Sequence, residues 1–185
     1  LKTCKYKVYQ LSDTFRLGNR AANFTGIFYN DTLISKSDIN NGVIGYTEGP
    51  HIIDMDLPIG DPTPNDAINC AIEIVVKVLK ENKSAKIAIL CHLVKTVKAL
   101  QVAMAKQDLM QDNVLIDTVA RVQGITQDVV IYLIPDTDSK IYSLNLQLFN
   151  VATSRAKQNT FIICPRNIME FTYMSPKVKK YMCRL

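Results

Sequence analysis

Lys86-Ile87-Ala88-Ile89-Leu90-Cys91 is a compact apolar run with no polar alternation, the pattern of a strand buried on both faces. Just beyond it the period changes, and KTVKALQVAMAKQ (95–107) reads as a helix. VLIDT (114–118) and DVVIYLI (128–134) repeat the buried-strand pattern. SLNLQLFNVATSRAK (143–157) reads as a helix, TFIIC (160–164) as a strand, and RNIMEFTYM (166–174) as a closing helix. On the other side, Pro64 leads into NDAINCAIEIVVKVLKEN, where Asn65 or Asp66 can cap a helix. There Ala67, Ile68, Ala71, Ile72, Val75, Val78 and Leu79 recur at helical spacing, with Lys80 near the C-terminal end. HIIDMDL (51–57) is a short strand inside an Asn-, Asp-, Gly- and Pro-rich stretch at 35–65. Buried strands alternating with helices call for a parallel sheet covered on both faces, so the expected fold is a three-layer α/β domain with a mainly parallel sheet. Ligands in such sheets bind beyond the carboxyl ends of the strands, which directs attention to the loops after Cys91, Thr118 and Ile134.

Composition sets the outer bounds. With 185 residues, 48% of them hydrophobic and 21% charged, the chain has the make-up of a folded domain, and its length suits a single one over 1–185. No apolar run approaches the ~18 residues of a membrane span, and the opening LKTCKYKVYQLSDTF has no signal-peptide core. The initial Leu suggests a piece of something longer. The net charge of +5 is concentrated in a basic tail at 176–185, where Lys177, Lys179, Lys180 and Arg184 carry four of the excess charges; a solvated terminus is the expectation there. Cys4, Cys70, Cys91, Cys164 and Cys183 are odd in number and never paired as CxxC, which fits reduced thiols in the cytoplasm; with only His51 and His92 no metal site is indicated, and the chain is expected to be a monomer.

A self-contained catalytic site is missing from the sequence. No GxxxxGK[ST] or strand-borne GxGxxG is present, so the chain lacks its own Walker A loop, and there is no GxSxG or HExxH. His92 follows a buried strand at a ligand-facing place, with a structural histidine as the alternative. Two segments are more informative. In DTVARVQGITQDVVIYLI (117–134), Gly124 permits positive φ or a close backbone approach, and Gln123 places a neutral donor and acceptor beside it; a plain strand connection is the alternative. In LFNVATSRAKQNTFIIC (148–164), Arg155 stands between Ala152 and Ala156 with Asn150, Thr153 and Ser154 nearby, able to present its donor fork to a phosphate or to pair with a surface acid.

Taken together, these segments resemble a known family. Thr118-Val119-x-x-x-Gln123-Gly124-x-x-x-Asp128-Val129-Val130-Ile131 is similar to motif V of superfamily 1 helicases, and Phe149-Asn150-Val151-Ala152-Thr153-Ser154-Arg155-Ala156-Lys157 to motif VI. The Gln-Gly form points to the nonsense-mediated-decay helicase branch. Leu11-Ser12-Asp13-Thr14-Phe15-Arg16-Leu17, followed by Phe24 and by Phe28-Tyr29-Asn30-Asp31-Thr32-Leu33, resembles that branch's QYRM segment.

The resemblance implies the C-terminal, RecA-like motor domain of an ATP-dependent DNA or RNA helicase, with ATP and Mg²⁺ bound between it and an N-terminal RecA-like domain of the same polypeptide. That partner domain would bring the Walker A lysine and the Mg²⁺ ligands, so this chain alone is expected to be inactive. Carried over, Arg155 and Arg16 would act as catalytic arginines on ATP, Gln123 and Gly124 would bind the nucleotide side, and Thr118 would meet the backbone of single-stranded DNA or RNA. His92 is a further candidate nucleic-acid contact, although Cys91-His92-Leu93 departs from the branch's Thr-Pro-Tyr. Thr126 replaces the family Glu, Thr14-Phe15-Arg16-Leu17 replaces Gln-Tyr-Arg-Met, and Ser154 replaces Thr. A non-catalytic helicase-fold module that binds nucleic acid or a protein is the alternative reading.

Overall fold

The structure, a computed structural model, describes residues 12–122 and 124–185. In chain order it comprises β1 (Asp13–Thr14), α1 (Asn19–Gly26), a 3-10 turn (Ile27–Tyr29), β2 (Ile34–Ser35) and β3 (Gly49–Met55). Then come α2 (Asn65–Glu81), β4 (Ile87–Cys91), α3 (Val94–Ala105), β5 (Val114–Thr118) and a second 3-10 turn (Val119–Arg121). The remainder is β6 (Gln127–Leu133), α4 (Lys140–Ser143), α5 (Leu146–Thr153), β7 (Ala156–Pro165), a third 3-10 turn (Ile168–Glu170) and α6 (Pro176–Cys183). Strands β3-β7-β6-β4-β5, in that spatial order, form a parallel sheet, while β1 and β2 pair separately.

The apolar runs divide residue by residue between the two faces of the sheet, as the period-2 geometry of a strand requires. Ile87, Ile89 and Cys91 of β4, Val129, Ile131 and Leu133 of β6, and Phe161 and Ile163 of β7 pack on α2 and α3. The intervening Ala88, Leu90, Val130, Tyr132, Ile162 and Cys164 pack under α1, α5 and α6. β4 is fully buried along its length, and each of its large aliphatic side chains contributes about 1.5–3 kcal/mol of burial. The three-layer α/β architecture expected from the sequence is therefore present.

Several boundaries differ from the sequence reading, each for a local reason. The α2 cap is Pro64 in extended conformation, without a side-chain hydrogen bond; Asn65 and Asp66 lie inside the first turn, where the Asp66 charge complements the helix dipole. β3 covers Gly49–Met55 and not 51–57, and Pro50 is tolerated because β3 is an edge strand pairing only with β7. The helix expected over 143–157 shortens to α5, because the Asn145 side chain accepts from the Gln147 N–H and starts it at Leu146, while a separate short α4 precedes it at Lys140–Ser143. α5 then stops at Ser154, and β7 begins at Ala156, paired with Gln127 of β6. The expected helix at 166–174 is only a 3-10 turn.

The basic tail is not a solvated end. Residues 176–183 form α6, whose Val178, Tyr181 and Met182 are buried, and Tyr181 sits among Phe24, Phe28 and Phe149 at ring distances of 5.2–5.5 Å. Its cations have specific partners: Lys177 donates to the Phe28 carbonyl, Lys180 lies 2.8 Å from Asp31, and Arg184 donates to Asn23 and lies 3.5 Å from Asp31. The charge excess at this end is thus largely committed to holding α6 on α1 and the turn that follows it.

Candidate functional site

The two arginines singled out in the sequence are 139 positions apart and meet through an identifiable scaffold. Asn159, fully buried on β7, accepts from the Val43 N–H at 2.7 Å and donates to the Thr47 and Gly49 carbonyls at 2.7 and 3.2 Å. This holds the 42–49 loop, which carries the buried Glu48. The Glu48 carboxylate accepts from the backbone N–H groups of Arg20 and Ala21, acting as a cap supplied from outside the helix for α1, which lacks a side-chain cap of its own. Gly18 permits this approach, since a Cβ there would lie 2.7 Å from the Glu48 carboxylate. Leu17, 2% exposed, packs with Ala21 and Ala22, and the Thr14 hydroxyl accepts from the Arg16 N–H at 3.4 Å. The backbone before α1 is thereby fixed, and with it the direction of Arg16.

Arg16 Nη1 donates to the Thr126 hydroxyl at 3.3 Å, while its Nε is buried without a partner among the described residues. Arg155 does not ride on a helix, as 143–157 had suggested; it occupies the link between α5 and β7, and its Nε donates to the Val151 carbonyl at 3.1 Å. Burial, and next the positive charge of Arg16, press the Arg155 guanidinium below its ordinary value of 12.5, with Tyr29 acting in the opposite sense. Asn150 donates to the Tyr29 hydroxyl at 3.1 Å, and its own carbonyl oxygen is buried without a partner among the described residues. No ion pair involving Arg16 or Arg155 occurs among the described residues. Thr126, Tyr29 and Asn150 were not assigned to this cluster by the sequence; their neighbourhood in motifs V and VI and the QYRM-like segment was the available signal.

Parallel pairing places Thr118 beside Cys91 at the carboxyl ends of β5 and β4, and Gln127 beside Ala156 at the amino ends of β6 and β7. The arginine pair therefore lies at the amino edge, opposite the loops where the sheet type had directed attention. At the carboxyl edge Thr118 is 8% exposed, its N–H donates to the Asp117 carboxylate at 2.7 Å, and Asp117 lies 3.7 Å from Arg121. His92 follows Cys91 there, half-buried and stacked on Tyr142, and desolvation holds its imidazole below its ordinary value of 6.5. Residues 119–126 connect the two edges, with Val119, Val122 and Ile125 packed on the sheet. Gly124 is exposed in this connection at φ +86°, the left-handed region that favours glycine. Gln123 lies outside the described residues. Among the described residues there is no cluster of three or more His, Cys, Asp or Glu suited to a metal ion, and no helix is long and apolar enough to cross a membrane.

Residues 63–167 match the family described as an AAA domain, more than half of the chain, and the chain belongs to that family. The match runs from α2 to β7, so it contains the motif V and VI segments and excludes Arg16. No curated protein matches the sequence. Among solved structures, the fold is similar to the crystal structure of the C-terminal domain of a possible DNA helicase from Lactobacillus plantarum WCFS1, at a TM-score of 0.51 and 12% identity, over 89% of this chain and 92% of that one. Family and fold together show an α/β domain of the AAA family, and at 12% identity the structural likeness carries the fold alone.

Proposed function

We propose that this chain is the C-terminal motor domain of a longer ATP-dependent DNA or RNA helicase. Arg155 and Arg16 contact the γ-phosphate of an ATP held against the N-terminal RecA-like domain, while Thr118 and His92 form part of the grip on a single strand. The observation that carries the reading is the arginine pair itself. Two partly buried guanidiniums stand close enough to repel, each oriented by a neutral acceptor and neither paired with a carboxylate among the described residues. Such an arrangement has its electrostatic cost offset when an anion sits before it, and the guanidinium fork suits phosphate oxygens.

ATP with Mg²⁺ supplies the scissile phosphoanhydride and the metal charge; the Mg²⁺ ligands belong to the N-terminal domain. This chain's own residues position and neutralise. Arg155 and Arg16 stabilise the charge on the transferring phosphoryl group, and Thr126 keeps Arg16 aimed without neutralising it. By the motif V resemblance, Gly124 and Gln123 are assigned to nucleotide binding. The 119–126 connection runs from that edge to Thr118, so closure on ATP is transmitted to the strand grip.

The test is ATP hydrolysis by the longer protein, with and without single-stranded DNA or RNA, for native and Arg155→Ala. A loss of about 10³-fold or more in kcat is expected, with no rescue by Arg155→Lys, whose single ammonium lacks the fork. Strand-stimulated hydrolysis that survives Arg155→Ala undiminished would remove Arg155 from catalysis. The isolated chain is expected to hydrolyse nothing.

A further inference from the structure

We propose that His92 and Tyr142 form a stacking platform for one base of the single strand gripped at the carboxyl edge of the sheet. This rests on the reading above that the edge holds nucleic acid, and it adds a residue, Tyr142, that neither motif contains.

The two rings lie 4.9 Å apart at 21°, a near-parallel stack and not the edge-to-face contact adopted by most other aromatic pairs described in this protein. His92 is fixed from below, because it directly follows the fully buried β4. Tyr142 is fixed differently. It sits on α4, where Lys140 is paired with the buried Asp136, and where the buried Ser143 presents its carbonyl to the Tyr132 hydroxyl at 2.8 Å. Yet Tyr142 as a whole residue is 56% exposed. An exposed aromatic on a free surface ordinarily swings between rotamers and binds little. Here the short helix is pinned at both ends and the ring already rests on His92, so its accessible surface is presented at almost no further ordering cost. Burial keeps the His92 imidazole uncharged near neutral pH, which leaves the stack without a cation repelling or capturing neighbours.

The location specifies what would lie on it. Cys91 pairs with Thr118, so the residue after Cys91 stands beside the residue that the motif V resemblance puts against the strand backbone. Arg121, with its side chain 72% exposed and only a 3.7 Å contact to Asp117, lies one 3-10 turn beyond Thr118. A hydroxyl and an arginine for the phosphates, with an aromatic face beside them for a base, is the combination by which sequence-tolerant single-strand binders work, since every base has a π-face.

The experiment uses the longer protein containing both motor domains and measures binding of a labelled oligothymidylate, and of matched strands carrying a single abasic site at successive positions. Native protein should bind the abasic strand more weakly at one position. Tyr142→Ala should weaken binding of the complete strand by about 5- to 100-fold and abolish that position dependence, and Tyr142→Phe should restore both. Unchanged thermal unfolding of Tyr142→Ala is expected for so exposed a side chain. If native protein binds the strand and Tyr142→Ala binds it equally well, or weakens complete and abasic strands alike, the platform is refuted while the grip stands. If native protein binds no single strand, both the platform and the strand grip fall.

Discussion

Replacing Asn159 by alanine tests whether the scaffold behind Arg16 is held as described. The side chain is wholly buried and makes three hydrogen bonds, to the Val43 N–H and to the Thr47 and Gly49 carbonyls. Thr47 is exposed, so water can take over at its carbonyl. Val43 and Gly49 are buried, and leaving the Val43 N–H without an acceptor costs about 1–3 kcal/mol, with about 1 kcal/mol more for the lost bond to Gly49. The expected destabilisation is about 3 kcal/mol, which for a chain of this size lowers Tm by about 6–12 °C. Asn159→Asp separates hydrogen bonding from volume. It preserves the acceptor for Val43 but turns the donor into an oxygen facing two carbonyls. The folded state then favours the protonated acid, raising its pKa, so stability is present below the unfolded value of about 3.9 and is lost as pH rises through the folded pKa. Thermal unfolding followed by circular dichroism at pH 7 and pH 4 checks both. Alanine and aspartate variants that melt within about 2 °C of native at pH 7 would refute the hook, because that shift corresponds to no more than one surface hydrogen bond.

Two other expectations follow from backbone geometry and burial. Gly124 has φ +86° with open space around it, so Gly124→Ala should cost about 1–2 kcal/mol from backbone strain alone and Gly124→Asn less; equal melting of the two variants would contradict that origin. His51 and His92 are both pushed below 6.5, chiefly by desolvation, so the unfolded chain binds protons more readily in that range. Their contribution is complete above about pH 6.5 and is lost as pH falls through the folded values. The denaturant midpoint should drop between pH 7.5 and pH 5, and by less in a His51→Gln/His92→Gln variant; identical drops would remove the histidines from the account.

Much of the fold was legible in residue order because burial on both faces of a strand is a local property of residue type. The run 87–91 needs only aliphatic side chains to declare itself, and the α2 face needs only its spacing. The same holds for Gly124, where one residue type marks one backbone region. The ends of elements were less legible. Asn145 caps the helix and moves its start to Leu146, and pairing of Ala156 with Gln127 takes Arg155 off the helix and into a link. The tail at 176–185 has the composition of a solvated terminus, yet Tyr181 finds an aromatic pocket made by α1, the turn after it and α5.

By itself, the sequence determined the α/β class, the motif V and VI segments and the two arginines, all of which depend on residue identity and short spacing. Tertiary structure decided that Arg16 and Arg155 share the amino edge, that Thr118 and His92 share the carboxyl edge, and that Tyr142 covers His92. Those facts depend on strand order and register, which emerge when β6 and β7 pair across intervening chain and when Asn159 and Glu48 draw a distant loop against α1. Side chains that serve a neighbour far away in sequence, as these two do, have no periodicity to reveal them.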